Sequence, residues 1–138
     1  MPIVDRVLDI IDRFNAPVVV DAHCDLPCGV YDPAQARIEA ESVKNCMSKF
    51  NESDDDVFKT RATFIKEERA DLVKHHLWVL WTDYFKPEHV QRFPNLHEIF
   101  WTATKTAGEA KKTNDVAVGD RLLQQIAEID KIFWETKK

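Results

Sequence analysis

Apolar side chains recur three or four residues apart along most of this 138-residue chain, and this period limits the fold more than any other feature of the sequence. A spacing of three and four residues places side chains on one face of an α-helix, whereas a half-buried β-strand needs strict alternation. The longest stretch that resembles a strand is Val18–Val20. The sequence therefore predicts an all-α fold.

Four segments from Asp32 onward carry such a helical face. The residues that form the faces are, in chain order, Ala36, Ala40, Val43, Met47 and Phe50; Phe58, Ala62, Ile65 and Leu72, continued by Val73, Leu77, Leu80 and Tyr84; Leu96, Ile99, Phe100, Ala103, Ala107 and Ala110; and Leu122, Ile126, Ile129 and Phe133. Asp32 and Asn95 are predicted to cap the first and third helices, and Lys86–Pro87 is predicted to end the second. Because the connections are short, we expect an antiparallel four-helix bundle over residues 32–138.

Residues 1–22 differ in character from the rest and predict one short helix of their own. The apolar residues that share its face are Ile3, Val4, Val7, Leu8, Ile11 and Phe14. Asn15 and Pro17 end this helix, because the residue before a proline is pushed out of the helical region. Three aspartates and the lack of a basic start exclude a secretory signal. The pattern leaves two interpretations open: a helix docked on the bundle, or a leader that is removed.

Charge and composition exclude several classes of function. The net charge of −5 disfavours a nucleic-acid-binding protein, and no apolar run reaches the roughly 18 residues of a membrane span. We therefore expect a soluble, cytoplasmic protein. A di-iron centre in a helical bundle needs Glu-x-x-His pairs, and no histidine of this chain has a glutamate three residues before it. His75 and His76 are expected to be ordinary surface or core histidines, and the four tryptophans to pack in the core or at an interface.

Reactive side chains are concentrated in the loop HCDLPCGVYDP at residues 23–33, which holds His23, Cys24 and Cys28 within six positions. Its Cys-x-x-x-Cys spacing is neither a thioredoxin motif nor part of a four-cysteine zinc site. Composition alone supports a loop disulfide or two inert thiols at least as well as a metal site. A proline and a glycine bend the loop, which favours a compact hook around one ion, and thiolates with nitrogen donors suit Ni(II) or Cu(II).

The same string resembles the nickel-binding hook of the nickel-containing superoxide dismutases and matches that family's motif throughout. Residues 23–138 are similar to the family's mature chain in length and helical pattern, and WTDYFKP at residues 81–87 resembles its sequence after the second long helix. The resemblance implies an enzyme that converts superoxide to dioxygen and hydrogen peroxide. It implies a removable leader at residues 1–22, a hook at residues 23–31 and the bundle at residues 32–138.

The resemblance also implies the metal ligands. One nickel ion per subunit would be bound in one plane by the thiolates of Cys24 and Cys28, the free amine of His23 and the deprotonated backbone amide of Cys24. The His23 imidazole would add an axial bond in the Ni(III) state. An α-amine has a pKa near 8, so it can release its proton to a metal at cytosolic pH.

Four further residues are assigned a supporting role by the same resemblance. Tyr31 matches the family tyrosine that stands over the metal and limits access, although a loop tyrosine packed on the bundle explains it as well. Asp25 supports the ligands from within the hook. Glu39 and Arg69 match the pair that orients the axial imidazole. Both also lie on helix faces that point towards the bundle, where a structural ion pair between helices would serve equally. The Leu26–Pro27 peptide bond is expected to be cis by resemblance.

The resemblance further implies a homohexamer and a maturation protease that cleaves between Ala22 and His23. Lys86 is a candidate for attracting superoxide, and Cys46, outside the motif, is expected to be a buried free thiol. Two other functions remain in view. One is a nickel or copper carrier without turnover, and the other is a structural helical protein whose Cys24 and Cys28 form a disulfide.

Cleavage before His23 is predicted to create the active site, because a peptide bond at this residue removes the amine that binds the metal. The full 138-residue chain supplied with nickel should show no superoxide turnover, whereas a chain that begins at His23 should be active. Turnover assays on the two chains side by side check this. Equal rates would show that the amine is dispensable.

Overall fold

A computed structural model of the chain describes residues 29–138. The predicted leader, the metal ligands and the Leu26–Pro27 bond lie outside the described residues, so the expectations for them stay predictions.

The described residues form four long helices and one short one, with no strand among them. The helices are α1 (Ala34–Glu52), α2 (Asp56–Val79), α3 (Pro87–Arg92), α4 (Leu96–Ala110) and α5 (Val116–Glu135). A π-helical turn, Leu80–Tyr84, continues α2 at its carboxyl end. The predicted all-α class and the four long helices are confirmed, whereas α3 was not predicted.

The long helices pack as an antiparallel bundle. Helix α1 packs against α2 and α5, and α4 packs against the other sides of the same two helices. The Lys44 ammonium lies 2.6 Å from the Asp120 carboxylate, and Asn51 Nδ2 donates a 2.9 Å hydrogen bond to the Asn114 carbonyl. As α1 advances from Lys44 to Asn51, its partner changes from Asp120 on α5 to Asn114, which precedes α5, so these two helices run in opposite directions. The predicted bundle is confirmed.

Aspartates start three of the four long helices. Asp32 Oδ1 accepts the Ala34 N–H at 2.8 Å, and Asp55 and Asp115 accept from the second residue of α2 and α5 in the same way. These bonds satisfy amide donors that have no partner within the helix. Asn95 precedes α4 as predicted, but its side chain makes no capping bond.

Local hydrogen bonds explain the end of α2 and the start of α3. The Phe85 N–H donates to the Leu80 carbonyl at 3.0 Å, which closes the wider π-helical turn. Lys86 then adopts an extended conformation, as expected before a proline, and Pro87 opens α3. The turn places Tyr84 at the end of α2, beside the carboxyl end of α5.

The core combines alanines of α1 and α4 with larger residues of α2, α4 and α5. Its main cluster contains Ala36, Ala40, Val73, Leu77, Leu80, Phe85, Leu96, Phe100, Ala103, Ala107, Leu122, Ile126, Ile129, Ile132 and Phe133. The alanines let the helices approach closely, so that the longer side chains of α5 fill the centre. The predicted faces of α1, α4 and α5 agree with this core.

The predicted buried face of α2 was wrong in its first half. Phe58 and Ile65, expected in the core, are 39% and 41% exposed. The buried face instead consists of Ala62, Lys66, Ala70, Val73 and Leu77. The reason is that a lysine occupies a core position, which a pattern of apolar residues cannot reveal.

Lys66 is only 2% exposed, and its ammonium has two polar partners. Its Nζ donates to the Thr113 carbonyl at 2.5 Å and to Asn114 Oδ1 at 3.0 Å. Asn51 of α1 donates to the carbonyl of the same Asn114. Burial lowers the pKa of Lys66. The lysine thus attaches the α4–α5 connection to α2, at the end of the bundle opposite Tyr84.

Replacing Lys66 with Met keeps the length of the side chain but leaves the Thr113 and Asn114 oxygens without this donor. We expect the free energy of unfolding to fall by about 1–3 kcal/mol, the usual cost of unsatisfied buried polar groups. Chemical denaturation measures it. The matched control is Lys131→Met on the exposed surface of α5, which should change stability by less than about 0.5 kcal/mol.

The pH dependence of this difference has a defined sign. Because the pKa of Lys66 is lowered by folding, the unfolded chain binds more protons between the folded value and about 10.4. The stability of the unsubstituted chain relative to Lys66→Met should therefore rise as the pH increases through that window. A constant or falling difference would contradict the burial of a charged lysine.

Candidate functional site

A cavity of about 510 Å³ lies where the described chain begins. Its walls come from four parts of the chain, and the lining residues are Gly29, Tyr31, Asp83, Tyr84, Lys86, Glu88, His89, Thr136 and Lys137. Gly29 directly follows Cys28 in the sequence. The cavity is therefore lined by the residue that follows a predicted metal ligand in the sequence.

Gly29 turns the chain at the edge of this cavity. Its φ of +74° lies in the left-handed region, which strains residues that carry a Cβ. Apart from its chain neighbours, no atom of the described residues lies within 4 Å of the position a Cβ would take, so the backbone conformation is what favours glycine here. The predicted bend at this glycine is confirmed.

Tyr31 is half-buried and packs on the bundle while it lines the cavity. Its ring centroid lies 5.6 Å from that of Tyr84. The structure thus shows a loop tyrosine that packs on the bundle and lines the cavity together with Gly29 and Tyr84.

Tyr84 is held by aromatic rings on several sides, a cluster that the sequence did not predict. Its ring centroid lies 4.4 Å from Phe133, 5.0 Å from Phe85 and 5.7 Å from His89, on which it stacks. Such contacts fix the plane of a ring as well as burying it. Because the partners are up to 49 residues apart, no local sequence pattern reveals the cluster.

The orientation of His89 is set by a backbone group. Its Nδ1 accepts the Lys86 N–H at 3.0 Å, which places the proton of the neutral imidazole on Nε2. Nε2 lies 3.8 Å from the Glu88 carboxylate. This arrangement closes the first turn of α3 and fixes the imidazole against Tyr84.

Glu39 and Arg69 are brought together, as predicted. Arg69 Nη1 lies 3.3 Å and 3.4 Å from the two carboxylate oxygens of Glu39, which joins α1 to α2. The Glu39 side chain is 16% exposed and that of Arg69 is 37% exposed. Arg69 also contacts the exposed Glu68 at 3.2 Å. Neither member of the pair lines the cavity beside Tyr31.

The tryptophans and the histidine pair were only partly predicted. Trp78, Trp101 and Trp134 are about half exposed, so the expectation of core packing is wrong for them. Their positions on the outer faces of helices leave the interface alternative open. Among the histidines, His75 is exposed and His76 is half-buried, in agreement with ordinary structural roles.

Cys46 is a free thiol on α1 and is half-buried, less than the full burial expected. Burial raises the pKa of this thiol, and the nearby positive charges of Arg69 and Lys66 oppose the rise. Burial thus lowers the share of reactive thiolate, which makes Cys46 a weaker nucleophile.

Within residues 29–138, no group of three or more histidine, cysteine, aspartate or glutamate side chains is placed to hold a metal ion. None of the helices in this range is both long and apolar enough to cross a membrane. His23, Cys24, Asp25 and Cys28 precede the described part of the chain, so their role as the metal centre stays a prediction.

Comparison with known proteins gives a consistent result. The family model described as nickel-containing superoxide dismutase matches residues 18–137. A protein named superoxide dismutase [Ni] from Streptomyces coelicolor is 59% identical over 129 residues, which cover 93% of this chain and 98% of the relative. The protein of the same name from Streptomyces seoulensis is 60% identical with the same coverage. The solved structure of native nickel superoxide dismutase superposes with a TM-score of 0.83 at 60% identity and covers 84% of this chain and 100% of its own.

Glu39→Gln is expected to lower the free energy of unfolding by about 1 kcal/mol, because it leaves the half-buried Arg69 guanidinium without its main partner. The matched control is Glu41→Gln on the same helix. Glu41 pairs with Arg37 at the shorter distance of 2.8 Å, but both side chains are about half exposed. Solvent screening should make that change nearly neutral. Equal losses in denaturant titrations would show that burial does not distinguish the two pairs.

Proposed function

Because this chain belongs to the nickel-containing superoxide dismutase family, we propose that His23, Cys24 and Cys28 bind the nickel ion of its active site. The protein is an oxidoreductase, a superoxide dismutase with a nickel cofactor. The observation that carries this conclusion is the family match over residues 18–137, which includes the whole hook. The alternative of a nickel or copper carrier that does not turn over superoxide is not favoured, since the relatives are named superoxide dismutases.

The donor set of the hook fits nickel. Two thiolates and nitrogen donors are ligands that select the later transition metals, and anionic sulfur makes the higher oxidation state of nickel accessible. When bound, nickel would supply one-electron chemistry between Ni(III) and Ni(II), by which two superoxide ions and two protons give dioxygen and hydrogen peroxide. The described residues offer no competing cluster of ligands. The chain's own contribution is therefore to hold the hook, to orient its groups and to control access.

The relatives support removal of the leader. The curated relatives align over 93% of this chain, whereas the full length of the native solved structure aligns over 84% of it. That smaller share is about 116 residues, the length of the stretch 23–138. We therefore propose that the chain is cleaved between Ala22 and His23. This cleavage frees the amine that the hook requires.

The ion pair of Glu39 and Arg69 is available to orient the His23 imidazole. A carboxylate fixed by an arginine accepts a hydrogen bond in one direction, and such partners set the rotation and basicity of a ligating imidazole. Asp25 would act in the same way from within the hook. This role is supported by the structure of the pair: the two residues that the family resemblance assigned to it contact each other on adjacent helices.

The cavity beside Gly29 is the proposed route for superoxide. The formal charges of its lining residues within 29–138 balance, because Lys86 and Lys137 offset Asp83 and Glu88, whereas the whole chain carries −5. An anion therefore meets less repulsion here than over the average surface, and the Lys86 ammonium attracts it locally. Tyr31 then limits the size of what passes.

The exposed aromatic side chains support an assembly of several copies. Trp78, Trp101 and Trp134 present large apolar surfaces on three different helices. A homohexamer that covers them is the state we propose. A cytoplasmic location stays a prediction.

Replacing Cys28 with Ser removes an anionic ligand and should abolish nickel binding and turnover. We expect activity to fall by more than about 100-fold, since loss of a group that only orients a ligand already costs about 10- to 100-fold. Nickel content by mass spectrometry and superoxide decay by stopped flow measure the two effects. Cys46→Ser is the matched control and should retain both. A Cys28→Ser protein with normal turnover would contradict the assignment of the hook.

A further inference from the structure

The residues that follow α5 form part of the cavity wall. Thr136 is half-buried, and with Lys137 it lies across the cavity from Gly29 and Tyr31. The Thr136 hydroxyl oxygen lies 2.6 Å from the phenolic oxygen of Tyr84. The segment after α5 therefore contacts Tyr84, which the aromatic cluster holds.

The direction of this hydrogen bond follows from counting protons. The Thr136 hydroxyl also lies 2.6 Å from the Phe133 carbonyl, which has no proton to give. Thr136 must therefore donate its single hydroxyl proton to that carbonyl. The short contact with Tyr84 is then a hydrogen bond only if the Tyr84 hydroxyl donates to Thr136. The opposite arrangement would leave two acceptor oxygens 2.6 Å apart with no proton between them.

We propose that Thr136 is a positioning residue that directs the Tyr84 proton away from the cavity and so presents the Tyr84 oxygen to it as a hydrogen-bond acceptor. Contacts with Phe133, Phe85 and His89 hold the Tyr84 ring in place, so its hydroxyl stays beside Thr136. The amine of Lys137, 5.1 Å above the ring, covers it further. The inference rests on the proposed function in taking this cavity as the approach to the nickel centre.

An acceptor at this point discriminates between substrate and product. Superoxide carries no proton and can only accept hydrogen bonds, so it gains nothing from the Tyr84 oxygen and is drawn to the Lys86 ammonium. Hydrogen peroxide and water carry O–H groups and can donate to Tyr84. Thr136 thus keeps Tyr84 from holding anions at the mouth of the site, where they would block the next superoxide.

The first experiment tests the hydrogen bond without the metal. The chain has two tyrosines, so ring-labelled ¹³C-tyrosine gives two Cζ signals, which Tyr31→Phe assigns. In the nickel-free full chain, Thr136→Val should move the Tyr84 Cζ resonance, because the phenol loses its acceptor. Thr136→Ser keeps the hydroxyl and should leave the resonance in place. The Phe133 carbonyl stays satisfied in both variants, since it also accepts the Thr136 N–H at 3.2 Å.

The second experiment tests the consequence for anions in the nickel enzyme. Azide, which accepts but does not donate hydrogen bonds, is the probe, and its inhibition constant against superoxide is the measurement. In Thr136→Val the Tyr84 proton becomes available to the cavity, so azide should bind about tenfold more tightly. In Thr136→Ser, Tyr84→Phe and the double variant Thr136→Val with Tyr84→Phe, azide should bind within about twofold of the unsubstituted enzyme.

The outcomes separate this inference from the proposed function. An unchanged Tyr84 signal in Thr136→Val overturns the inferred hydrogen bond. If the signal moves but azide inhibits all the proteins equally, the role of Thr136 in excluding anions is overturned. The same holds if azide inhibits none of them. Tighter azide binding that persists in the double variant also overturns it, because the effect would not pass through Tyr84. None of these results bears on nickel binding, which the Cys28→Ser variant tests separately.

Discussion

The packing of Phe133 against Tyr84 joins the core of the bundle to the wall of the cavity, and the arrangement of the site depends on it. Phe133 is fully buried at the carboxyl end of α5, and its ring centroid lies 4.4 Å from that of Tyr84. The same residue supplies the carbonyl that sets the direction of the Thr136 hydroxyl. A rigid core therefore determines both where the tyrosine lies and what its oxygen offers. The same core packing that stabilises the bundle also stabilises the aromatic wall of the cavity, so the wall needs no separate supporting element.

The proposed centre divides its tasks between two parts of the chain. All predicted ligands lie within six consecutive residues, so metal binding needs little from the bundle beyond a point of attachment. The bundle instead supplies what a short peptide cannot provide: a fixed ion pair, a shaped approach and a local balance of charge. This division agrees with the absence of any other candidate metal cluster among residues 29–138. It also explains why a sequence string of eleven residues identifies the chemistry while it says little about how that chemistry is controlled.

Helical periodicity predicted the fold well because the bundle is held by one apolar face per helix. It failed where a polar residue takes a core position, as Lys66 does through hydrogen bonds to a loop 47 residues away. It also missed the π-helical turn and α3, which depend on backbone bonds near a proline and not on an apolar pattern. In the site, Tyr31 and the Glu39–Arg69 pair were predicted from the resemblance of the hook. Tyr84 and Thr136 were not, because residues 52 positions apart meet only after the helices have packed.

Gly29, the residue after Cys28, and Lys137, the residue after Thr136, line the same cavity. Segments next to either residue are therefore poor places for a fusion partner or an affinity tag. An extension that blocks the His23 amine would remove a proposed nickel ligand, and one joined to Lys138 would lie close to Thr136. The exposed connection between α1 and α2, at the opposite end of the bundle, is the better place to attach a fluorophore or a surface linker.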